Sequence, residues 1–162
     1  MDPRELFIQT LAELMYVETT LADEVLPELR EQVSEARFQR ALDEHLDQTR
    51  EHVARLEQVF EDMKVQPQRE PSAAFDGLRR DHEETVRKLT DTTLRDLFNA
   101  SAAAHTEHFE ISAYHGAITL AVILGMPEAV KCLEQNLHEE EAALEKVEKG
   151  IPELLAGHLA PA

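Results

Sequence analysis

The sequence has one cysteine, Cys132, and little positive charge for its length. A single cysteine can form no internal disulfide, and no Cys-x-x-Cys pair is present to hold zinc or an iron–sulfur cluster. Lysine and arginine number 16 against 33 aspartate and glutamate, giving a net charge of -17. Because phosphate backbones and anionic lipids require clustered cations, we expect neither nucleic acid nor membrane as a partner.

Long apolar runs are also missing. The longest, around Ile118 to Leu124, is too short to span a bilayer. The segment from Met1 to Glu5 lacks the basic start and apolar stretch of a secretion signal. A chain of 162 residues is long enough for one domain with a core of its own. We therefore expect a single-domain soluble protein of the reducing cytoplasm.

Residues that typically start or stop helices divide the chain, and no strand-like alternation is found between them. The expected starts are capping residues or a proline: Asp2, Ser34, Ser72, Thr93 and Pro127. The expected ends of the later helices are Lys64, Leu89, Gly125 and Gly150, and Pro27 is expected to kink helix one or to end it within a turn or two. Asp2 has Glu5 three residues later and Thr93 has Asp96, the spacing of a capping box.

This order predicts an all-α fold of two helical hairpins, with tight turns near Ser34 and Gly125. A crossover at about 65–92 joins the hairpins and contains a shorter helix. That helix of about 17 residues covers roughly 25 Å, enough to leave helices two and three parallel. Ferritin-like four-helix bundles are connected in this way. We expect such a bundle over residues 1–150, followed by a loosely packed C-terminal tail at 151–162.

Polar side chains interrupt the apolar stripe of every long helix near its middle. They are Glu18 in helix one, His45, Gln48 or Thr49, and His52 in helix two, Glu107 and Glu110 in helix three, and Glu140 in helix four. Since the midpoints of aligned helices coincide, these groups should meet in one layer of the core. Several buried carboxylates repel one another, and a divalent metal compensates their charge. Carboxylate and imidazole ligands suit iron, manganese or zinc, so the sequence predicts a metal site.

Plainer interpretations of the same residues stay open. Phase drift can place some of them on the surface, or neighbouring arginine and histidine can neutralise them. A single inward histidine such as His45 is usually a hydrogen-bonded core residue. The run Glu139–Glu141 is typical of a solvated face, from which only Glu140 has inward phase. Tyr16 and Tyr114 can hydrogen-bond ligands or act as redox-active neighbours, but packing is the use expected for each.

Several stretches also match the pattern of a known family. They are Leu14–Glu18, His45–Thr49, Arg55–Glu57, Glu107–Ile111 with Tyr114, Leu124–Gly125 and Leu137–Glu141. In these stretches the sequence resembles the bacterial YciF family, also called the DUF892 ferritin-like proteins. The resemblance implies a ferritin-like bundle, a homodimer, an association with bacterial stress responses and a dinuclear centre of iron or manganese.

The chain departs from that family pattern where two potential ligands are expected. The pattern has Glu at position 48 and Asp at position 144, whereas this chain has Gln48 and Leu144. His52, one turn from Gln48, is placed to compensate. No Glu-x-x-His pair occurs in the sequence, so the usual di-iron spacing is absent. The site can therefore hold one metal, hold two with more water, or be empty.

The sequence leaves more than one function open and assigns no catalytic residue. The first is an oxidoreductase that reacts with oxygen or peroxide. Its predicted metal ligands are Glu18, His45, His52, Glu107, Glu110 and Glu140. The second is a non-catalytic, dimeric stress or interaction protein whose metal site is degenerate or empty. The third is mineral storage, which requires a hollow shell.

Overall fold

The structure, a computed structural model, describes residues 1–159 and the side chains of residues 1–156. Every regular element in this range is helical, which confirms the all-α prediction. The elements, in chain order, are α1 (Pro3–Thr20), a π-helical turn (Leu21–Val25), α2 (Leu26–Gln32), α3 (Ala36–Asp62), α4 (Ala73–Val86), α5 (Thr92–Ile123) and α6 (Pro127–Leu159). Among the described residues, no helix is both long and apolar enough to cross a membrane.

Local capping residues set several of these boundaries as predicted. The Asp2 side chain accepts from the Glu5 N–H, and the Glu5 carboxylate accepts from the Asp2 N–H, so the capping box of α1 is confirmed. Ser72 caps α4 by accepting from the N–H of Phe75. Gly125 follows α5 with a φ of 67°, the left-handed conformation that ends helices at low cost for glycine.

Ser34 and Thr93 do not have the capping roles that the sequence predicted for them. Glu35 caps α3, and Asp91 caps α5. Asp96 instead accepts hydrogen bonds from the backbone N–H groups of Ser34 and Glu35, both at 3.0 Å. Residues expected to act within separate helices therefore bond to each other and join the α2–α3 connection to the first turns of α5.

Helical structure continues past Pro27 to Gln32, five residues on, so the first helix ends within two turns of the proline as expected. A proline has no N–H, so it interrupts the regular ladder of an α-helix. Just before it, the N–H of Leu26 donates to the carbonyl of Leu21, five residues earlier, in a widened π turn. The π turn therefore lets α1 continue into α2 past the proline.

The predicted end of helix four at Gly150 is also wrong. Helix α6 continues through Gly150 and Pro152 to Leu159. Ile151 and Leu154 pack against a buried apolar cluster, so this part of the expected tail is not loosely packed. That packing offsets the cost of a glycine and a proline within a helix. Residues 160–162 of the expected tail lie outside the described residues.

The long helices form a bundle in which α1 and α6 each contact both α3 and α5. One apolar cluster joins the start of α1 and α6 to the ends of α3 and α5, through residues such as Phe7, Leu133, Phe60 and Ala121. This pairing of ends makes α3 and α5 parallel, as the crossover predicted. A second cluster fills the opposite end around α2, α4 and the start of α3. The fold is that of a ferritin-like bundle, and the predicted polar residues lie between its two apolar clusters.

Candidate metal centre

The predicted site residues converge in the middle of the bundle. Glu18 lies in α1 between Leu14 and Leu21, which belong to the two different apolar clusters. The residues that the sequence singled out as ligands are all buried: Glu18, His45, His52, Glu107, Glu110 and Glu140. They come from α1, α3, α5 and α6. The expectation that each long helix contributes to one interior polar layer is thereby confirmed.

One half of this layer is built around His52. Its Nδ1 lies 3.2 Å from Oε1 of Glu18 and 2.8 Å from Oε1 of Glu140. One ligand atom from each of these residues falls within 4.8 Å of the others. These three side chains come from α1, α3 and α6, so a cation held here would join three helices.

The other half is built around His45. Its Nε2 lies 3.3 Å from Oε1 of Glu107 and 3.7 Å from Oε2 of Glu140. These residues also place one ligand atom each within 4.8 Å of one another. Glu140 therefore belongs to both halves, with Oε1 turned towards His52 and Oε2 towards His45. Glu140 is thus the one residue common to the two groups of potential ligands among the described residues.

Unpartnered carboxylate oxygens, above all those of Glu110, are the strongest sign that a positively charged group is missing from the polar layer. Among the described residues, neither carboxylate oxygen of Glu110 has a hydrogen-bond partner, and Oε2 of Glu107 has none either. A buried polar atom without a partner costs about 1–3 kcal/mol, and a charged one costs more. The donor set is carboxylate oxygen and imidazole nitrogen, which suits iron, manganese or zinc. The residues present therefore fit a divalent metal site.

The carboxyl groups of the polar layer differ in their pKa values. Burial raises the pKa of Glu107 and of Glu110 well above the ordinary value, and the charge of Glu140 adds to this shift. Burial also acts to raise the pKa of Glu140, but the contacts with His52 and His45 outweigh it and lower that pKa to about 2. In the metal-free protein Glu107 and Glu110 therefore hold a proton more tightly than an ordinary glutamate, whereas the shared Glu140 holds one much less tightly.

The two histidines have opposite protonation behaviour. Burial alone lowers the pKa of His52, but Glu18 and Glu140 outweigh this and raise it to about 10. Burial lowers the pKa of His45, and the charge of Glu140 only partly opposes that shift. In the metal-free state, His52 is therefore an imidazolium that neutralises part of the buried negative charge, and His45 is a neutral imidazole.

Tyr114 hydrogen-bonds to a predicted ligand, the alternative to simple packing that the sequence left open. Its hydroxyl donates to Oε1 of Glu18 and accepts from Nδ2 of Asn136 at 2.9 Å. Asn136 also accepts from Nη1 of Arg55 at 2.8 Å, which fixes the orientation of its amide. Sequence reasoning missed Asn136. Its position one helical turn before Glu140 was the available signal.

Glu139 was predicted to lie on a solvated face, but it contacts the site. Its Oε2 lies 2.9 Å from Nε2 of His52, and the two carboxylate oxygens accept from Arg55 at 2.8 and 3.1 Å. A carboxylate behind a histidine fixes the ring and its tautomer, as it does in many metal sites. The bidentate Arg55 in turn holds Glu139 in place.

Other candidates take no part in the cluster. The hydroxyl of Thr49, the alternative to Gln48 in the sequence analysis, donates to the carbonyl of His45 within its own helix. Gln48 and Leu144, where the family pattern has acidic residues, are both partly buried. His105 and His138, which flank the predicted ligands in sequence, are exposed.

Comparison with known proteins places this bundle with its buried carboxylate–histidine layer in an existing family. The family model described as a domain of unknown function, DUF892, matches residues 2–160. The chain is 30% identical to the YciF protein of Escherichia coli K12 over 139 residues, covering 85% of this chain and 83% of that protein. This chain belongs to the DUF892 family, as the sequence resemblance predicted.

Solved structures agree with that assignment. The crystal structure of the E. coli stress protein YciF matches with a TM-score of 0.89 at 29% identity, covering 96% of this chain and 98% of that one. The YcfI protein of Rhodopseudomonas palustris matches with a TM-score of 0.89 at 31% identity over 91% of this chain and 94% of that one. A Xanthomonas campestris protein, at 15% identity and a TM-score of 0.80 over 98% of this chain and 97% of that one, shares the fold.

Proposed function

We propose that this protein is a stress-associated metal protein that binds two ions of iron or manganese in the polar layer of its bundle. The observation that carries the proposal is the shared position of Glu140. Its two oxygens face two separate sets of donors, Glu18 with His52 and Glu107 with His45. Glu110 belongs to neither of these donor groups, but it is buried with both oxygens unpartnered among the described residues, and we propose it as a further donor.

Such a metal pair would supply redox chemistry towards oxygen or peroxide. The surrounding residues bind and orient. Tyr114 donates to Oε1 of Glu18 and so orients this carboxylate, whose Oε2 lies 3.3 Å from Nδ1 of His52. Glu139 accepts from Nε2 of His52 and so directs Nδ1 to the interior. The apolar clusters on either side exclude bulk water from the carboxylates.

A non-catalytic stress or interaction protein is the second candidate, and one observation favours it. His52 lies within 3.2 Å of Glu18 and 2.8 Å of Glu140, so its positive charge compensates those carboxylates without a metal. The family pattern has acidic residues where this chain has Gln48 and Leu144, and the absence of these two potential ligands also favours a protein without a working metal site. In this case the bundle is a dimeric scaffold, and its metal site is degenerate.

Metal analysis of wild-type protein and of Glu140→Gln separates the two candidates. Protein loaded with Fe²⁺ or Mn²⁺ and then desalted should contain about two ions per chain in the wild type, as dinuclear bundles do. Glu140→Gln should lose both ions, because it removes the shared ligand. Glu141→Gln changes the neighbouring, exposed residue and is the matched control. A wild-type content near zero would exclude the metal site and leave the scaffold.

Oxidoreductase activity and oligomeric state are then measured on the same samples. Consumption of oxygen or peroxide by the loaded wild type, absent in Glu140→Gln, would support an oxidoreductase. We also expect a cytoplasmic homodimer, which size-exclusion chromatography with light scattering would detect. A large shell in that measurement would instead support mineral storage.

A further inference from the structure

The candidate metal centre is accessible from one side of the polar layer. Of the predicted ligands, His45 is 7% exposed and Glu107 is 4% exposed. The other predicted ligands are each 0% exposed: Glu18, His52, Glu110 and Glu140. The two slightly exposed residues both line one pocket of about 90 Å³. This pocket is therefore the route that the structure offers from solvent to the polar layer.

The interior of the pocket is apolar. Apart from His45 and Glu107, every residue that lines the pocket and is itself buried is a leucine, a phenylalanine or an alanine, such as Leu26, Leu42 and Phe75. Three of the charged residues along the pocket are exposed and place its mouth between α2, α4 and α6: Glu28, Glu83 and Lys146. A molecule inside thus meets mainly apolar walls and the side chains of two predicted metal ligands.

We propose that this pocket binds dioxygen and delivers it to the His45 half of the polar layer. Transfer of an apolar molecule from water to apolar walls is favourable, and dioxygen is apolar. Hydrogen peroxide has two hydroxyl groups, which lose their hydrogen bonds to water unless the walls replace them. The pocket therefore favours dioxygen over peroxide, the two oxidants that the proposed function leaves open.

The pocket is large enough for this ligand. A cavity needs about 10–15 Å³, measured in the same way, to hold one water molecule. The volume of about 90 Å³ is several times larger, and dioxygen has only two heavy atoms. As a statement about binding, the proposal stands without a metal. As a statement about which oxidant reaches the metal ions, it rests on the proposed function.

Dioxygen itself is the probe in the test, because it is paramagnetic and speeds the relaxation of nearby protons. Metal-free protein with isotope-labelled leucine methyl groups is measured by NMR under nitrogen and under oxygen pressure. Leu42 and Leu137 are buried to a similar extent, at 4% and 6% exposed, but Leu42 lines the pocket and Leu137 packs in the other apolar cluster. Since the packed interior leaves little room for dioxygen, its effect should be about threefold or more larger at Leu42.

Delivery to the polar layer is measured at the histidine rings of the same metal-free sample. The carbon-bound ring protons of His45, which lines the pocket, should respond to dioxygen more strongly than those of His52, which is 0% exposed. Equal responses of the two rings would contradict delivery to the His45 half.

A substitution that fills the pocket provides the second comparison. Ala103→Phe adds a ring to the wall formed by α5, so the effect of dioxygen at Leu42 should fall to that at Leu137. Ala113→Phe is the matched control, because Ala113 is a partly buried residue of the same helix that packs against the other apolar cluster. It should leave the effect at Leu42 unchanged. If Ala103→Phe loses its helical circular dichroism, Leu78→Phe fills the same pocket from α4.

Equal effects of dioxygen at Leu42 and Leu137 in the wild type, the result expected of a pocket that holds only water, would overturn the proposal. So would an unchanged effect at Leu42 in Ala103→Phe. Mn²⁺ content is measured separately after loading of the wild type. A content near zero would count against the proposed function alone, since the metal-free measurements test the pocket independently.

Discussion

Glu139 shows how a single residue outside the predicted ligand set can control the site. Glu139 accepts from Nε2 of His52, so the Glu139→Gln substitution leaves this nitrogen without its charged partner. We expect metal affinity to fall about 10- to 100-fold, the range seen when such supporting carboxylates are removed. Titration against a competing chelator measures this change. Glu134→Gln, at an exposed position of α6, is the control.

The fold should survive the Glu139→Gln change, because Glu139 is only partly buried. Circular dichroism at matched temperature checks this. Equal affinities for Glu139→Gln and Glu134→Gln would contradict a positioning role. A loss of helical signal in Glu139→Gln would show that the carboxylate acts on the fold rather than on His52.

The two tyrosines provide a second comparison at this scale. Tyr114→Phe removes a fully buried hydroxyl and leaves both Glu18 and Asn136 short of a partner. We expect the free energy of unfolding to fall by about 1–3 kcal/mol. Tyr16→Phe removes a partly exposed hydroxyl that donates to Asp76 at 2.7 Å, and it should cost less, about 0.5–1.5 kcal/mol. Urea unfolding of metal-free protein measures both, and a larger loss for Tyr16→Phe would contradict this ranking.

Periodicity predicts which of these residues point inward but not what they contact. Glu18, His52 and Glu140 could be found from the sequence because each interrupts an apolar stripe. Glu139 could not, because it lies at the edge of the buried face and its role depends on Arg55 reaching across from α3. The contacts that a long side chain such as that of Arg55 makes cannot be predicted from the spacing of apolar residues in the sequence.

Between elements, Asp96 is the contact with the clearest consequence for stability. Its carboxylate accepts from the hydroxyl of Ser34 at 2.6 Å and from the N–H groups of Ser34 and Glu35. Asp96→Ala leaves those donors unpaired where α3 begins, so we expect a loss of about 2–3 kcal/mol in unfolding free energy. Asp91→Ala, which removes the exposed cap of α5, should cost only about 1 kcal/mol. Equal losses in urea unfolding would contradict a tertiary role for Asp96.

The same contact explains why helix starts were predicted only to within a few residues. Ser34 and Thr93 both have the composition of local caps, and local patterns cannot reveal that Ser34 bonds to a residue 62 positions away. Asp2 and Ser72 were predicted well because their partners lie three residues on. At the end of α6, packing by Ile151 and Leu154 outweighed Gly150 and Pro152, a balance that depends on the assembled bundle.

For the molecule as a whole, the polar layer links stability to metal and to pH. The metal-free folded state raises the pKa values of Glu107 and Glu110, so it holds protons that the unfolded chain releases. Their contribution to stability is complete below the ordinary glutamate pKa of about 4.3 and is lost as the pH rises through the raised values. His52, whose pKa is raised to about 10, likewise stabilises the metal-free fold while it is protonated and loses this contribution at higher pH.

Metal binding should show the opposite dependence on pH, because the ion must displace the protons that Glu107, Glu110 and His52 hold. Saturating Mn²⁺ stabilises only the folded state, so it should raise the melting temperature, and this increase should be larger at about pH 7.5 than at about pH 5.5. Thermal melts followed by circular dichroism, with and without Mn²⁺ at both pH values, measure the effect. Glu140→Gln should show no increase at either pH. An increase of equal size at both pH values would mean that Mn²⁺ binds the exposed acidic surface, whose carboxylates are ionised throughout this range, and not the buried layer.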